Sequence, residues 1–153
     1  MSACRWPGAG DRVGLLQHNG PALLESMFAA FHAGCCAVPV NARAAPVEAG
    51  AVLADAGVSA IVHGADHRDH VEAAGMERAR AIGIEPGTAC NVELDEAIAT
   101  GPAIPVEPVE PDTLAWLFDT SGTTGASKGA MLTHRNLLAM TVAYLADIRA
   151  TPP

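Results

Sequence analysis

The segment Thr120-Ser-Gly-Thr-Thr-Gly-Ala-Ser-Lys-Gly129 gathers residue types that can hold phosphate. Gly122, Gly125 and Gly129 let backbone amides approach a ligand closely and turn toward one concavity. Thr120, Ser121, Thr123 and Thr124 add hydroxyl donors, and Lys128 adds positive charge. Lys128 is the only lysine, beside eight arginines. Its compact, mobile ammonium suits a phosphate that moves during reaction better than arginine's planar fork does. A Walker A loop would need glycine immediately before the lysine, where Ser127 stands. By composition alone, the same residues also fit a solvated turn.

Other reactive residues give weaker patterns. His63, His67 and His70, interleaved with Asp66 and Asp69, have a spacing that one helix face could present to a metal. Gly64 places His63 outside that helix, so the expectation is a solvated loop and helix start with no metal. His134 and Arg135 follow the loop and could reach phosphate, although residues in a capping region are commonly just exposed. Arg12 beside Asp11 reads as a surface pair. Cys4, Cys35, Cys36 and Cys90 contain no C-x-x-C spacing, which points to reduced thiols, some buried as small hydrophobes. No Ser/His/Asp or Cys/His arrangement is visible, and no catalytic residue is assigned.

The elements that must position the loop follow from periodicity. Apolar runs at Val13–Leu16, Cys36–Val40 and Val58–Val62 read as strands. Between them, a helix opens at Pro21 and stops at Gly34, and a second opens at Pro46 and closes at Gly57. This alternation is the signature of a parallel sheet covered by helices. His67–Arg80 reads as helix, Ala81–Ile84 as strand and Val92–Ala99 as a short helix. Pro102, Pro105, Pro108 and Pro111 recur every third residue, favouring an extended acidic linker. A strand at Leu114–Phe118 leads into the loop; Ala130–Leu132 is a short apolar run, and Thr133 caps a last helix.

Composition sets the outer bounds. The chain has 153 residues, 50% hydrophobic and 17% charged, which excludes a disordered tail, a collagen and a coiled coil. A net charge of −8 argues against nucleic acid and anionic membranes as partners. The longest stretch without Asp, Glu, Lys or Arg, Ser26–Ala42, falls short of the ~20 apolar residues that span a bilayer. Met1–Val13 shows no signal-peptide h-region, and a cytoplasmic location is expected.

Together, Thr120–Leu137, Gly10–Leu16 and Ala33–Arg43 resemble the AMP-forming acyl-CoA synthetase and ligase superfamily of adenylate-forming enzymes. The likeness runs from about Gly10 to Arg149. It implies an α/β fold, parallel-sheet-rich, forming part of a large N-terminal domain. It implies ATP with Mg2+ as cofactor, contacted through Thr120, Ser121, Gly122, Thr123, Thr124, Gly125 and Lys128. A carboxylic acid and coenzyme A would be substrates of the full-length parent only. Two positions depart from the family pattern: Ser127 where proline is usual, and Asp119 where an aromatic is usual.

Family members carry their acyl-binding, adenine-binding, ribose-binding and hinge segments, and a C-terminal lysine, downstream of this region. The sequence therefore reads as an internal piece, with a missing C-terminal part encoded separately as one option and a non-catalytic nucleotide-binding remnant as the alternative. The expected organisation over 1–153 is an early βα core (1–101), a Pro-rich linker (102–111), and a strand, phosphate loop and helix (112–149).

Overall fold

The computed structural model describes residues 7–75, 81–84, 92–120 and 128–148. Strand β1 (Arg12–Leu16) leads through α1 (Pro21–His32) to β2 (Cys36–Pro39), then through α2 (Pro46–Asp55) to β3 (Ala60–His63). A 3-10 turn (Ala65–His67) and α3 (Arg68–Ala73) precede β4 (Ala81–Gly83), β5 (Val92–Glu93) and α4 (Leu94–Thr100). The chain ends in β6 (Leu114–Thr120), β7 (Lys128–Thr133) and α5 (His134–Asp147). One seven-stranded sheet has the order β5-β4-β3-β1-β2-β6-β7. All neighbours are parallel except β6 and β7.

The expected α/β alternation is therefore present, with helices on both sheet faces. Val13 and Leu15 of β1 pack with Ala30 of α1 on one face. Leu16 packs with Leu53 of α2 and Val71 of α3 on the other. A strand buried on both faces has to be apolar without alternation, which is why Val13–Leu16 reads as a continuous run. Both first helices begin with proline, whose fixed φ suits that position. They end before Gly34 (φ 69) and Gly57 (φ 61), which adopt the left-handed turn at little cost.

Several boundaries differ from the sequence reading. The expected His67–Arg80 helix is a short 3-10 turn and a six-residue α3, ending at Ala73 just before Gly75 (φ 64). Residues 76–80 of that expectation lie outside the described residues. Val92 and Glu93, expected to be helical, instead pair with β4 as β5, because an open sheet edge satisfies their backbone groups. The segment 101–113 holds neither helix nor strand, and crosses the end of α1. Glu107 N donates to the His32 carbonyl at 2.8 Å, and Ile104 O lies 2.9 Å from His32 Nε2.

Arg12 is more than a surface partner of Asp11. Its Nη1 donates to the Ala56 carbonyl at 2.5 Å, satisfying an orphan acceptor at the end of α2. Cys35 and Cys36 are buried free thiols, as expected. Burial pushes the Cys36 thiol up to about 11, and burial with the nearby Asp11 charge also raises Cys35. Neither is poised as a nucleophile.

The histidines overturn the solvated expectation. His63, His67 and His70 are 1%, 2% and 9% exposed. His63 closes β3 with Nδ1 2.9 Å from the Gly64 carbonyl and Nε2 buried with no partner among the described residues. Burial lowers its pKa from 6.5; the Gly64 carbonyl opposes that shift and His67 adds to it.

Two predictions follow from this packing. A Cβ on Gly50 would meet the Ala73 carbonyl carbon and oxygen at 3.0 Å, backbone atoms that cannot rotate aside. Gly50→Ala should therefore destabilise the fold by about 1–2 kcal/mol in urea melts, despite alanine's better helix propensity. His63 is the second case. Its folded pKa lies below the unfolded value, so its contribution is complete above about pH 6.5 and is lost as pH falls below that. The urea midpoint of the wild type should drop more from pH 8 to 5.5 than that of His63→Asn; parallel drops would refute the assignment.

Candidate functional site

Because β1 to β6 run parallel, their carboxyl ends share one sheet edge. Open α/β sheets bind ligands at this edge, above all where consecutive connections leave in opposite directions. Here that point lies between β1 and β3: α1 leads from β1 to β2 on one side, and α3 leads from β3 toward β4 on the other. A cavity of about 210 Å³ opens there, lined by Gln17, Asn19, Gly20, Gly64, Asp66 and His67. A larger cavity of about 530 Å³ lies at the ends of β1 and β2, lined in part by Leu15, His18, Pro39, Asn41 and Arg43.

The walls of these cavities are held by buried polar groups. Gln17 Nε2 donates to Ser26 Oγ at 3.2 Å, tying the end of β1 to α1. His67 Nε2 lies 3.1 Å from the Ala42 carbonyl, and His70 Nε2 lies 2.9 Å from the Ala44 carbonyl. A carbonyl only accepts, so each Nε2 carries the proton. The rings of His67 and His70 meet edge to face at 5.2 Å, and His18 stands 5.3 Å from His67. Thus α3 and its preceding turn fasten Ala42 and Ala44, and Asn41, Ala42 and Arg43 wall the larger cavity. Among the described residues, no group of three or more His, Cys, Asp or Glu side chains is arranged to hold a metal ion.

The phosphate-loop candidate enters at the same edge. Strand β6 is joined to β2 through Ala37↔Trp116 and ends at Thr120. It then turns back antiparallel into β7, pairing Phe118↔Ala130, Asp119↔Gly129 and Thr120↔Lys128. Thr120 and Lys128, expected to lie within the loop, are instead paired ends of two strands. The pairing of Thr120 with Lys128 thus forms a hairpin neck. Ser121, Gly122, Thr123, Thr124 and Gly125 lie outside the described residues.

The hairpin was missed in the sequence because Ala130–Leu132 is too short to distinguish a returning strand from a parallel one. A Cβ on Gly129 would lie 3.0 Å from Leu117 Cδ2, which shows how closely the two strands approach.

His134 and Arg135 fall at the other end of the hairpin. Strand β7, Lys128–Thr133, separates them from the loop by roughly 20 Å at strand rise. Arg135 instead makes a two-point contact with Asp112, Nε to Oδ1 at 2.7 Å and Nη2 to Oδ2 at 3.2 Å. That contact holds the Asp112 carboxyl below its usual range. Thr133 caps α5 as expected: its Oγ1 accepts from Asn136 N, and Asn136 Oδ1 accepts from Thr133 N in return.

Comparison with known proteins agrees with this geometry. The chain is 41% identical over 128 residues to a feruloyl-CoA synthase of Amycolatopsis, covering 84% of this chain and 24% of that protein. It therefore spans about a quarter of the length of that curated relative. In the crystal structure of apo MatB from Rhodopseudomonas palustris, 29% of the chain superposes on 95% of this one, with a TM-score of 0.79 and 28% identity. ATP-bound MatB from the same organism superposes with a TM-score of 0.78 and 28% identity, covering 92% of this chain and 28% of that one. The pattern defining the family described as AMP-binding enzyme matches residues 8–152. With nearly the whole chain matched, and the parallel sheet delivering its hairpin to the expected edge, this protein belongs to the AMP-binding enzyme family.

Proposed function

We propose that this chain carries the ATP-phosphate-binding loop of an AMP-forming acyl-CoA ligase. The observation that carries the reading is the hairpin neck, where Thr120 stands opposite the only lysine, Lys128, at the carboxyl edge of the sheet. In this reading the ligand is contacted by the hydroxyls of Thr120, Ser121, Thr123 and Thr124, the amides of Gly122 and Gly125, and the Lys128 ammonium. The similarity to ATP-bound MatB and to a feruloyl-CoA synthase supports ATP as that ligand and an acyl-CoA ligase as the parent activity.

In this reading, the carboxylate oxygen of the acid attacks the α-phosphorus of ATP. The bond from that phosphorus to the bridging oxygen breaks, giving an acyl-adenylate and pyrophosphate. The pyrophosphate gathers negative charge as it leaves, and donors fixed beforehand stabilise it without reorganising. Mg2+ would arrive with the ATP phosphates and neutralise part of their charge. The thiol of coenzyme A would then displace AMP from the acyl-adenylate. Adenine, acyl and thiol contacts belong to the longer relatives, so the loop alone would bind phosphates without aligning the reacting atoms.

The test uses the uniqueness of Lys128. An amine-reactive reagent can modify only this side chain and the N-terminus, which peptide mapping separates. Mg-ATP should slow modification of Lys128 and leave that of Met1 unchanged, with an affinity on the order of millimolar, about −4 kcal/mol. Equal labelling rates with and without saturating Mg-ATP would overturn the reading. The 153-residue chain by itself should show no carboxylate-dependent pyrophosphate release above a no-protein blank; release abolished by Lys128→Ala would refute that expectation.

A further inference from the structure

The segment between β2 and α2 is fastened through two histidine rings. Ala42 O accepts from His67 Nε2 at 3.1 Å, and Ala44 O accepts from His70 Nε2 at 2.9 Å. Among the described residues, no backbone N–H reaches either carbonyl. The segment's own bonds, Arg43 N to Asn41 Oδ1 and Ala44 N to Asn41 O, both 3.0 Å, shape a turn without tying it to α3. Asn41, Ala42 and Arg43 form one wall of the larger cavity, so the two rings set where that wall stands.

Neither ring can take a second proton in place at low cost. Each Nε2 already donates, and each Nδ1 is buried with no partner among the described residues. A proton added at Nδ1 would make a buried cation whose new N–H meets no acceptor. That costs more than a strengthened bond to the carbonyl returns. The rings also oppose one another. His67 meets His70 at 5.2 Å and His18 at 5.3 Å, and a charge on His67 adds to the lowering of the His63 pKa. Compensating charge stands in water. Arg43 on the segment, Glu48 and Asp55 on α2, and Asp66 in the turn are exposed. So are Asp69, Arg68 and Glu72 on α3, the last two paired with each other. Strands β3 and β4 carry no titratable side chain besides His63.

We infer that His67 and His70 form a proton-sensitive latch that positions the 41–45 wall and releases it in acid. Opening carries the rings into water, where both nitrogens can be hydrated and each ring takes up a proton near the ordinary histidine value. Because opening binds protons, it is favoured as pH falls, by up to about tenfold per pH unit for each ring. Well above about pH 6.5 both rings are neutral whether the latch is open or shut, and the wall stays fastened. Strands β1 and β2 keep their own ladder, so the wall can open while the sheet stays paired.

Amide exchange in the full chain, corrected for the intrinsic pH dependence of exchange, tests this. Protection of the Arg43 and Ala44 amides should fall at least about tenfold between pH 7.5 and 5.5, the loss expected from linkage to a single ring. At pH 5.5 both amides should still exchange faster than those of Val13–Leu16, because opening is local. Glutamine can place its Nε2 donor at the same carbonyls and does not titrate in this range. His67→Gln with His70→Gln should therefore hold protection of Arg43 and Ala44 constant to within about twofold. If that variant misfolds, 15N spectra of the wild-type histidines decide. Both rings should carry the proton on Nε2 alone at pH 7.5, and gain Nδ1–H over the interval in which the wall loosens. Constant protection in the wild type, an equal loss in the glutamine variant, loss in step with Val13–Leu16, or rings that gain Nδ1–H while Arg43 and Ala44 stay protected would each overturn the inference.

Discussion

Strand β2 is the shared element on which the arrangement depends. One edge of β2 pairs with β1 over Arg12↔Cys36 to Leu15↔Pro39, and the other receives β6 at Ala37↔Trp116. Cys36 and Val38 are fully buried against Leu114 and Leu117 of β6, with Ala56 behind them. This apolar junction sets the carboxyl end of β6, and hence the neck of the loop, beside the ends of β1 and β2. If β2 slipped by one residue, its buried side chains would exchange faces and both junctions would be lost.

The same sheet edge gathers the polar features. The topological switch between β1 and β3 opens one cavity, the β1–β2 gap opens a larger one, and the hairpin neck stands on the far side of β2. Buried imidazoles fasten the segment that walls the larger cavity, using backbone carbonyls as acceptors. Their burial and their contacts to backbone carbonyls make them architectural. The edge is preformed by packing, and the β6–β7 hairpin stands on it beyond β2.

The two halves of the molecule differ in how completely they are packed. The sheet from β1 to β3 is buried on both faces, with α1 on one side and α2 and α3 on the other. Among the described residues, the hairpin and α5 join the rest of the molecule through the pairing of β6 with β2 and through the His134 ring, 6.0 Å from that of Phe31 in α1.

The sequence by itself determined what is local. Pro21 with Gly34, Pro46 with Gly57, and Thr133 fix helix ends through φ, missing donors and side-chain caps, and each stands where it was expected. The glycine, hydroxyl and lysine content of 120–129, and its likeness to a phosphate-binding loop, were also legible without coordinates. Tertiary structure decided what depends on distant partners. The strand order, the reversal of β7, the burial of His63, His67 and His70, and the separation of His134 from the loop carry no local signature. Arg12 looked like a partner for its neighbour, yet its guanidinium meets a carbonyl 44 residues away. Hydrophobic periodicity states that a face must be buried but not what buries it, and backbone groups at a sheet edge or helix end take whichever partner packing brings to them.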